Sequence, residues 1–302
     1  MDDNNMDPLM KAVKAIHTAT GGAPAGDMAD IIKQRNGQDL FSKLATPVKG
    51  LKNEMFDLDG MNCEWIRPDY PHNTRNLIMY CHGGGYTCGS INFARVLGSK
   101  LALATSIDVI TFEYRLAPEH MYPAALCDAR KLWDYLMYLG YGANEIIIAG
   151  DSAGGNLALE LCLELKQTQR KLPKAMILMS PWTDMAMTGA SYKSWKDKDP
   201  MLDEAYIRSI REAYVGKDAD YADTKYSPLF ADLKGMPSAL IQVGSNEILR
   251  SDSESLTKRL RKSGTFAKLE VYKGGWHVFQ QLPIHNTVMA MEQIHRFVEK
   301  VI

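Results

Sequence analysis

Gly150-Asp151-Ser152-Ala153-Gly154-Gly155 fits the pattern G-x-S-x-G, and the reading of the whole chain turns on it. The run before it, Glu145 to Ala149, is short, apolar and β-branched, which predicts a buried strand. The run after it, Asn156 to Gln167, sets Leu157, Leu161 and Leu165 on one stripe, which predicts a helix. A serine between such elements sits on a sharp turn, where neighbouring Cβ atoms would clash. Glycines at 150 and 154 have none. The turn lifts the Ser152 hydroxyl above the sheet edge, and the helix N-terminus points free N–H groups at the same spot. A glycine-rich turn with a chance serine would read the same way, so the rest of the chain has to decide.

Asn76 to Cys81 predicts another buried strand, and His82-Gly83-Gly84-Gly85-Tyr86 follows it at once. Three successive glycines let the backbone turn sharply and expose N–H groups to a bound oxygen. A phosphate site is the other use of such a loop, but the P-loop lysine and spacing are missing. Glu54 to Leu58 and Met61 to Arg67 flank Asp59-Gly60, a strong hairpin signal. Ser106–Tyr114, Ala175–Ser180, Ser238–Val243 and Ala267–Tyr272 read as further strands. Asn92–Thr105, Pro123–Leu139, Asp252–Lys262 and Asn286–Val301 read as helices, with Trp133 in the core. Strands alternating with helices predict an α/β protein with a mostly parallel sheet covered on both faces.

Two segments break this alternation. Ahead of the sheet, Asp7 caps a helix that starts at Pro8, shows Leu9, Val13 and Ile16 on one face and stops at Gly21-Gly22. A second helix is expected from Asp27 to Arg35, ending at Asn36-Gly37. Later, residues 185–225 hold Trp195, Asp199-Pro200 and a helix from Asp203 to Tyr214, a composition that fits a cover over a site and equally plain extra packing. The expected organisation is one domain over residues 1–302. Its cap comes from about 1–45 and 185–225, and its core from about 46–184 and 226–302.

The chain has 302 residues, 46% hydrophobic and 24% charged, enough for a sizeable core. Its 35 basic and 36 acidic residues give a net charge of −1, without a basic stripe for nucleic acid or a membrane surface. The acidic start, Met1 to Asp7, is unlike a signal peptide, and no apolar run approaches the ~20 residues of a membrane span. Five scattered cysteines fit free thiols in a reducing compartment, and seven histidines show no metal-ligand spacing. A cytoplasmic protein without metal or cofactor is expected, with neither nucleic acid nor membrane among its partners.

A serine hydroxyl is a poor nucleophile near neutral pH, so Ser152 needs a base, and the base needs an orienting carboxylate. His277 lies in Gly274-Gly275-Trp276-His277, just past the last strand. His17 in the preface, His82 in the glycine loop and His295 in the last helix fit worse. Glu247 lies just past the Ser238–Val243 strand. Asp252 competes with it, but Ser251-x-x-Glu254 has capping-box spacing, which assigns Asp252 to a helix start.

His82-Gly-Gly-Gly85, Tyr114-Arg-Leu-Ala-Pro-Glu119 and Gly150-Asp-Ser-Ala-Gly-Gly155 together resemble the hormone-sensitive-lipase-like carboxylesterases of the α/β-hydrolase superfamily. The resemblance runs from about residue 45 onward, and the helical preface is similar to that family's cap. It implies an α/β-hydrolase fold with an eight-stranded sheet, one strand antiparallel, and often a dimer through the edge strand near Val271. It also implies Ser152 as nucleophile, His277 as base, and the N–H groups of Gly83, Gly84 and Ala153 as oxyanion hole. The departure is at the acid. Many relatives have D-x-L-x-D where this chain has Glu247-Ile-Leu-Arg-Ser251, similar to one subgroup. The expected activity is hydrolysis of short-chain acyl esters of small molecules through an acyl-enzyme. Deacetylation of sugars or other small molecules is a variant of the same chemistry. A receptor on the same fold would dispense with the base, which His277 argues against.

Overall fold

The computed structural model describes residues 8–19, 28–44 and 48–302. Its eight strands are β1 (Leu51–Leu58), β2 (Met61–Pro68), β3 (Asn73–Cys81), β4 (Ile107–Phe112), β5 (Ile146–Asp151), β6 (Ala175–Met179), β7 (Ser238–Gly244) and β8 (Ala267–Tyr272). They form one sheet in the order β1-β2-β4-β3-β5-β6-β7-β8. β2 is antiparallel to both its neighbours, and the remaining pairs are parallel. The β1–β2 link is the expected hairpin: Asp59 and Gly60 both have positive φ, 46° and 83°, as a two-residue turn matched to strand twist requires.

The helices are α1 (Pro8–Ala19), α2 (Met28–Leu44), α3 (Ile91–Thr105), α4 (Ala124–Tyr138), α5 (Ala153–Gln167), α6 (Ser191–Ser194), α7 (Glu204–Val215), α8 (Arg250–Lys262) and α9 (His285–Val301). Successive strand residues point to opposite faces, so one strand feeds two cores. Leu77, Met79, Ile146 and Ile148 join α4, α5 and α8 on one side. Ile78, Tyr80, Ile147 and Ala149 join α3 and α9 on the other. Every residue of β4, β5 and β6 is buried, as a strand covered on both faces must be. β8 lies at the edge and leaves Val271 exposed.

Two local expectations are corrected. α2 does not stop at Asn36-Gly37 but runs on to Leu44. Contacts beyond the break favour continuation: Gly37 is buried, and Asp39 accepts a hydrogen bond from Ser90 Oγ at 2.9 Å. α8 begins at Arg250 without a side-chain cap. Ser251 is turned to Ser191, and Asp252 is buried with its Oδ2 accepting the N–H groups of Thr183 and Asp184. Asp7 and Gly21-Gly22, expected to bound α1, lie outside the described residues. The Asp203 cap of α7 is present, its Oδ1 accepting from Tyr206 N at 2.8 Å.

The two faces of α4 should differ sharply under mutation. Trp133 is 1% exposed, so Trp133→Ala should cost ~3–5 kcal/mol in urea unfolding. Tyr138, on the same helix, is 85% exposed, so Tyr138→Ala should stay within ~0.5 kcal/mol.

Candidate active site

β5 passes into α5 through one residue, Ser152, at φ 53° and ψ −121°. A non-glycine residue at positive φ persists only where the surroundings hold it. Here the hold is close backbone packing. A Cβ on Gly150 would lie 2.2 Å from Gly154 O, and one on Gly154 would lie 2.1 Å from Cys81 O. Side chains larger than hydrogen cannot occupy either position. Ser152 is also tied on both sides, its N–H to Met179 O at 2.9 Å and its carbonyl to Trp182 N at 3.1 Å.

The structure brings Ser152, His277 and Glu247 into one line of hydrogen bonds, from loops after β5, β8 and β7 respectively. His277 Nε2 lies 2.9 Å from Ser152 Oγ, and His277 Nδ1 lies 2.9 Å from Glu247 Oε2. A carboxylate only accepts, so Nδ1 carries the proton and Nε2 is left as acceptor for the serine hydroxyl. Glu247 is fully buried, and its Oε1 accepts from Ser180 Oγ at 2.9 Å and from Gly244 N. Ser180 Oγ in turn accepts the N–H of Val278 at 3.2 Å, so one hydroxyl links the acid to the histidine loop.

Burial acts to lower the affinity of His277 for a proton. The Glu247 hydrogen bond and charge, with smaller contributions from Asp199 and Asp151, outweigh it and raise the imidazole above its ordinary 6.5. Both aspartates escaped the sequence reading. Burial drives Asp151 up to about 6, opposed by the Tyr80 hydroxyl, which donates to its Oδ1 at 2.6 Å. Burial drives Asp199 up to about 7. Its carboxylate takes the N–H groups of Met201 and Leu202 on one oxygen and Ile248 N, next to Glu247, on the other. Burial lifts Asp252 well above the usual carboxylate range, and its Oδ2 accepts from Thr183 N and Asp184 N.

The glycine loop corrects one expected donor. Gly83 N donates to Asp151 Oδ1 at 2.9 Å and is therefore spent. The position admits no side chain either, since a Cβ there would lie 2.3 Å from Asp151 Oδ2. Gly84 and Gly85, at φ 117° and 62°, line the cavity beside Ser152 instead. Among the described residues, the amides of Gly84, Gly85 and Ala153 meet no protein acceptor. His82 props the loop from behind, with Nδ1 donating to Gly83 O at 2.8 Å and its ring stacked on Tyr114 at 4.2 Å. Burial lowers His82 to about 4, so it is neutral near pH 7. Cys81 and Cys88 flank the loop, but both are buried and burial pushes both thiols up, which keeps them from forming thiolates.

The serine opens into a cavity of ≈ 80 Å³. Gln34 and Gln38 of α2 form part of its wall, and Tyr206, Ile207 and Ile210 of α7 form another. α2 is fastened by Arg35, which donates to Thr87 O at 2.8 Å, to Ala117 O at 3.0 Å and to both oxygens of Glu119. Among the described residues, no helix is long and apolar enough to cross a membrane.

Comparison with known proteins agrees with this geometry. A family model described as the alpha/beta hydrolase fold matches residues 78–281. An esterase of Acinetobacter venetianus is 39% identical over 68% of this chain and 67% of its own length. An acetyl-hydrolase of Streptomyces hygroscopicus is 34% identical over 80% of this chain and 79% of its own. Among solved structures, an esterase from the bacterial hormone-sensitive lipase family superposes with a TM-score of 0.89 and 31% identity, covering 98% of both chains. A serine held at the strand-to-helix turn and a sheet of this order, with these relatives, lead to one assignment: the chain belongs to the α/β-hydrolase fold family, in its hormone-sensitive-lipase-like branch.

Proposed function

We propose that this hydrolase is a serine carboxylesterase for short-chain acyl esters. The observation that carries the reading is the unbroken line from Ser152 through His277 to Glu247, with 2.9 Å at each contact that involves the histidine. Ser152 Oγ attacks the ester carbonyl as His277 Nε2 takes its proton. Negative charge gathers on the carbonyl oxygen, and the amides of Gly84, Gly85 and Ala153 receive it. Glu247 stabilises the imidazolium formed in this step. The imidazolium then protonates the departing alcohol, leaving an acyl group on Ser152. Water, deprotonated by His277, hydrolyses that acyl-enzyme by the same route in reverse.

The chain-length preference rests on the cavity. Its ≈ 80 Å³ is a small space walled by Tyr206, Ile207 and Ile210, which suits a short acyl group. α2 and α7, which bound it, act as a cap. The same small space supports a narrower reading, removal of acetyl groups, and one relative is an acetyl-hydrolase.

A nitrophenyl-ester series tests both the nucleophile and the cavity. Acetate and butyrate should be hydrolysed faster than decanoate, and Ser152→Ala should abolish both turnover and labelling by a phosphonate probe. Long-chain triglycerides turning over faster than butyrate esters would contradict the bounded cavity.

The pH dependence has a definite sign. Only neutral His277 can act as base, and its carboxylate neighbours raise it above 6.5. Activity should therefore climb as pH rises, with the midpoint of kcat/KM above 6.5. Glu247→Gln removes the largest of the raising influences and should move that midpoint down.

The same variant decides the acid. In serine proteases the matching amide substitution lowers turnover by ~10⁴-fold. Glu247→Gln should lose several decades of kcat with circular dichroism unchanged. Asp252→Asn keeps an oxygen for Thr183 and Asp184 and should leave kcat nearly intact. A dead Asp252→Asn beside an active Glu247→Gln would reverse the assignment.

A further inference from the structure

His277 is followed by a tight turn: Val278 sits in the left-handed region at φ 48°, and Phe279–Gln281 form one turn of 3-10 helix. The carbonyls at the end of such a turn have no partner within it. Phe279 O accepts Leu282 N and Leu282 O accepts Ile284 N, and Thr287 Oγ reaches both carbonyls at 3.1 and 2.7 Å. Gln280 O and Gln281 O are taken by a single ammonium, Lys100 Nζ on α3, at 2.8 and 2.6 Å. Gln281 lines the cavity beside Ser152, so this ammonium lies directly behind the wall that carries the histidine.

Lys100 Nζ holds two carbonyls, and among the described residues it forms no ion pair. Among the described residues, the acids on the elements packed around α3, Asp30 of α2 included, have interactions of their own. Glu64 of β2 is paired with Arg95, and Asp108 of β4 with Arg67 and His72. Asp39 of α2 accepts from Ser90. On α9, Glu292 pairs with Arg296 and Glu299 with His295, while His285 and Lys300 carry no negative charge. The 3-10 turn itself has no ionisable side chain.

We propose that Lys100 is a positioning residue of the esterase: its ammonium fixes the turn behind His277, so turnover requires this lysine to be charged. The proposal rests on the reading of His277 as the base. Charge-assisted hydrogen bonds are roughly twice as strong as neutral ones, and a loosened turn misplaces the imidazole against Ser152. Burial lowers Lys100 to about 8, so the clamp weakens within an accessible pH range. The protonated lysine is the working form, whereas the neutral histidine is the working base. The profile is therefore bell-shaped, with the acid limb belonging to His277 and the alkaline limb to Lys100.

The test is kcat and KM for ethyl butyrate, followed by titration over about pH 5 to 10, for wild type, Lys100→Arg and Lys100→Met. Wild type should lose kcat above about pH 8. Lys100→Arg, whose guanidinium stays charged throughout, should hold its kcat into that region. Lys100→Met should lose about tenfold or more in kcat at neutral pH, with KM little changed and no alkaline limb. Superimposable wild-type and Lys100→Met profiles would overturn the proposal. So would an Lys100→Arg limb at the wild-type pH, and that comparison stands even where Lys100→Met does not fold. Ser152→Ala is the separate control. If it turns over like wild type, or wild type does not hydrolyse the ester, the esterase reading itself has failed.

Discussion

The site depends on two backbones passing closer than side chains allow. Where β5 turns into α5, Gly150 meets Gly154 O and Gly154 meets the carbonyls of Cys81 and His82, each inside the distance a Cβ would need. This packing holds Ser152 in a conformation it would not otherwise adopt, and it sets the serine beside the glycine loop after β3. Ser152 and the unpaired amides of the glycine loop thus share one contact. The strand order makes the contact available, since β3 and β5 are adjacent parallel strands that deliver both loops at the same end of the sheet.

Around that contact the sheet assembles an electrostatic environment. Glu247, Asp199 and Asp151 are all buried, and each favours a proton on His277. Buried carboxylates are costly unless their oxygens find donors. Asp151 finds Tyr80 and Gly83, Asp199 finds three backbone amides, and Glu247 finds Ser180, Gly244 and the histidine. Each carboxylate therefore fixes a loop as well as adding charge, and the imidazole ring is held on a frame of polar contacts instead of by hydrophobic packing alone.

What could be read in the sequence is what local pattern encodes. Alternation of strand and helix, the Asp59-Gly60 hairpin, and the places of Ser152, His277 and Glu247 at strand ends all follow from short stretches. What escaped is long-range. Asp199 acts on Ile248 across 49 positions, and Ser180 reaches Glu247 across 67. Neither carries a local motif. Gly83 looked like a free donor because its acceptor, Asp151, is 68 positions away. The Asp within Gly150-Asp-Ser was the one available hint, since a charged residue between a buried strand and a nucleophile must satisfy its oxygens somewhere. Asn36-Gly37 was read as a stop because local propensity favours one, and tertiary contacts overrode it.

The hydrogen-bonded line at Ser152 and the wall of the cavity are drawn from different parts of the chain. Ser152, His277 and Glu247 stand on loops of the sheet, whereas the cavity wall borrows Gln34 and Gln38 from α2 and Ile207 and Ile210 from α7. The two parts are also held by different forces. The sheet helices sit in continuous apolar cores, while α2 is also held by polar contacts, Arg35 on Thr87, Ala117 and Glu119, Gln34 Nε2 on the Tyr206 hydroxyl at 2.8 Å and Asp39 with Ser90. Substitutions on α2 therefore alter the space offered to the ester without disturbing the line from Ser152 to Glu247. Substitutions at Gly150 or Gly154 strike that line directly, since each Cβ would push into the backbone that holds Ser152 and the glycine loop.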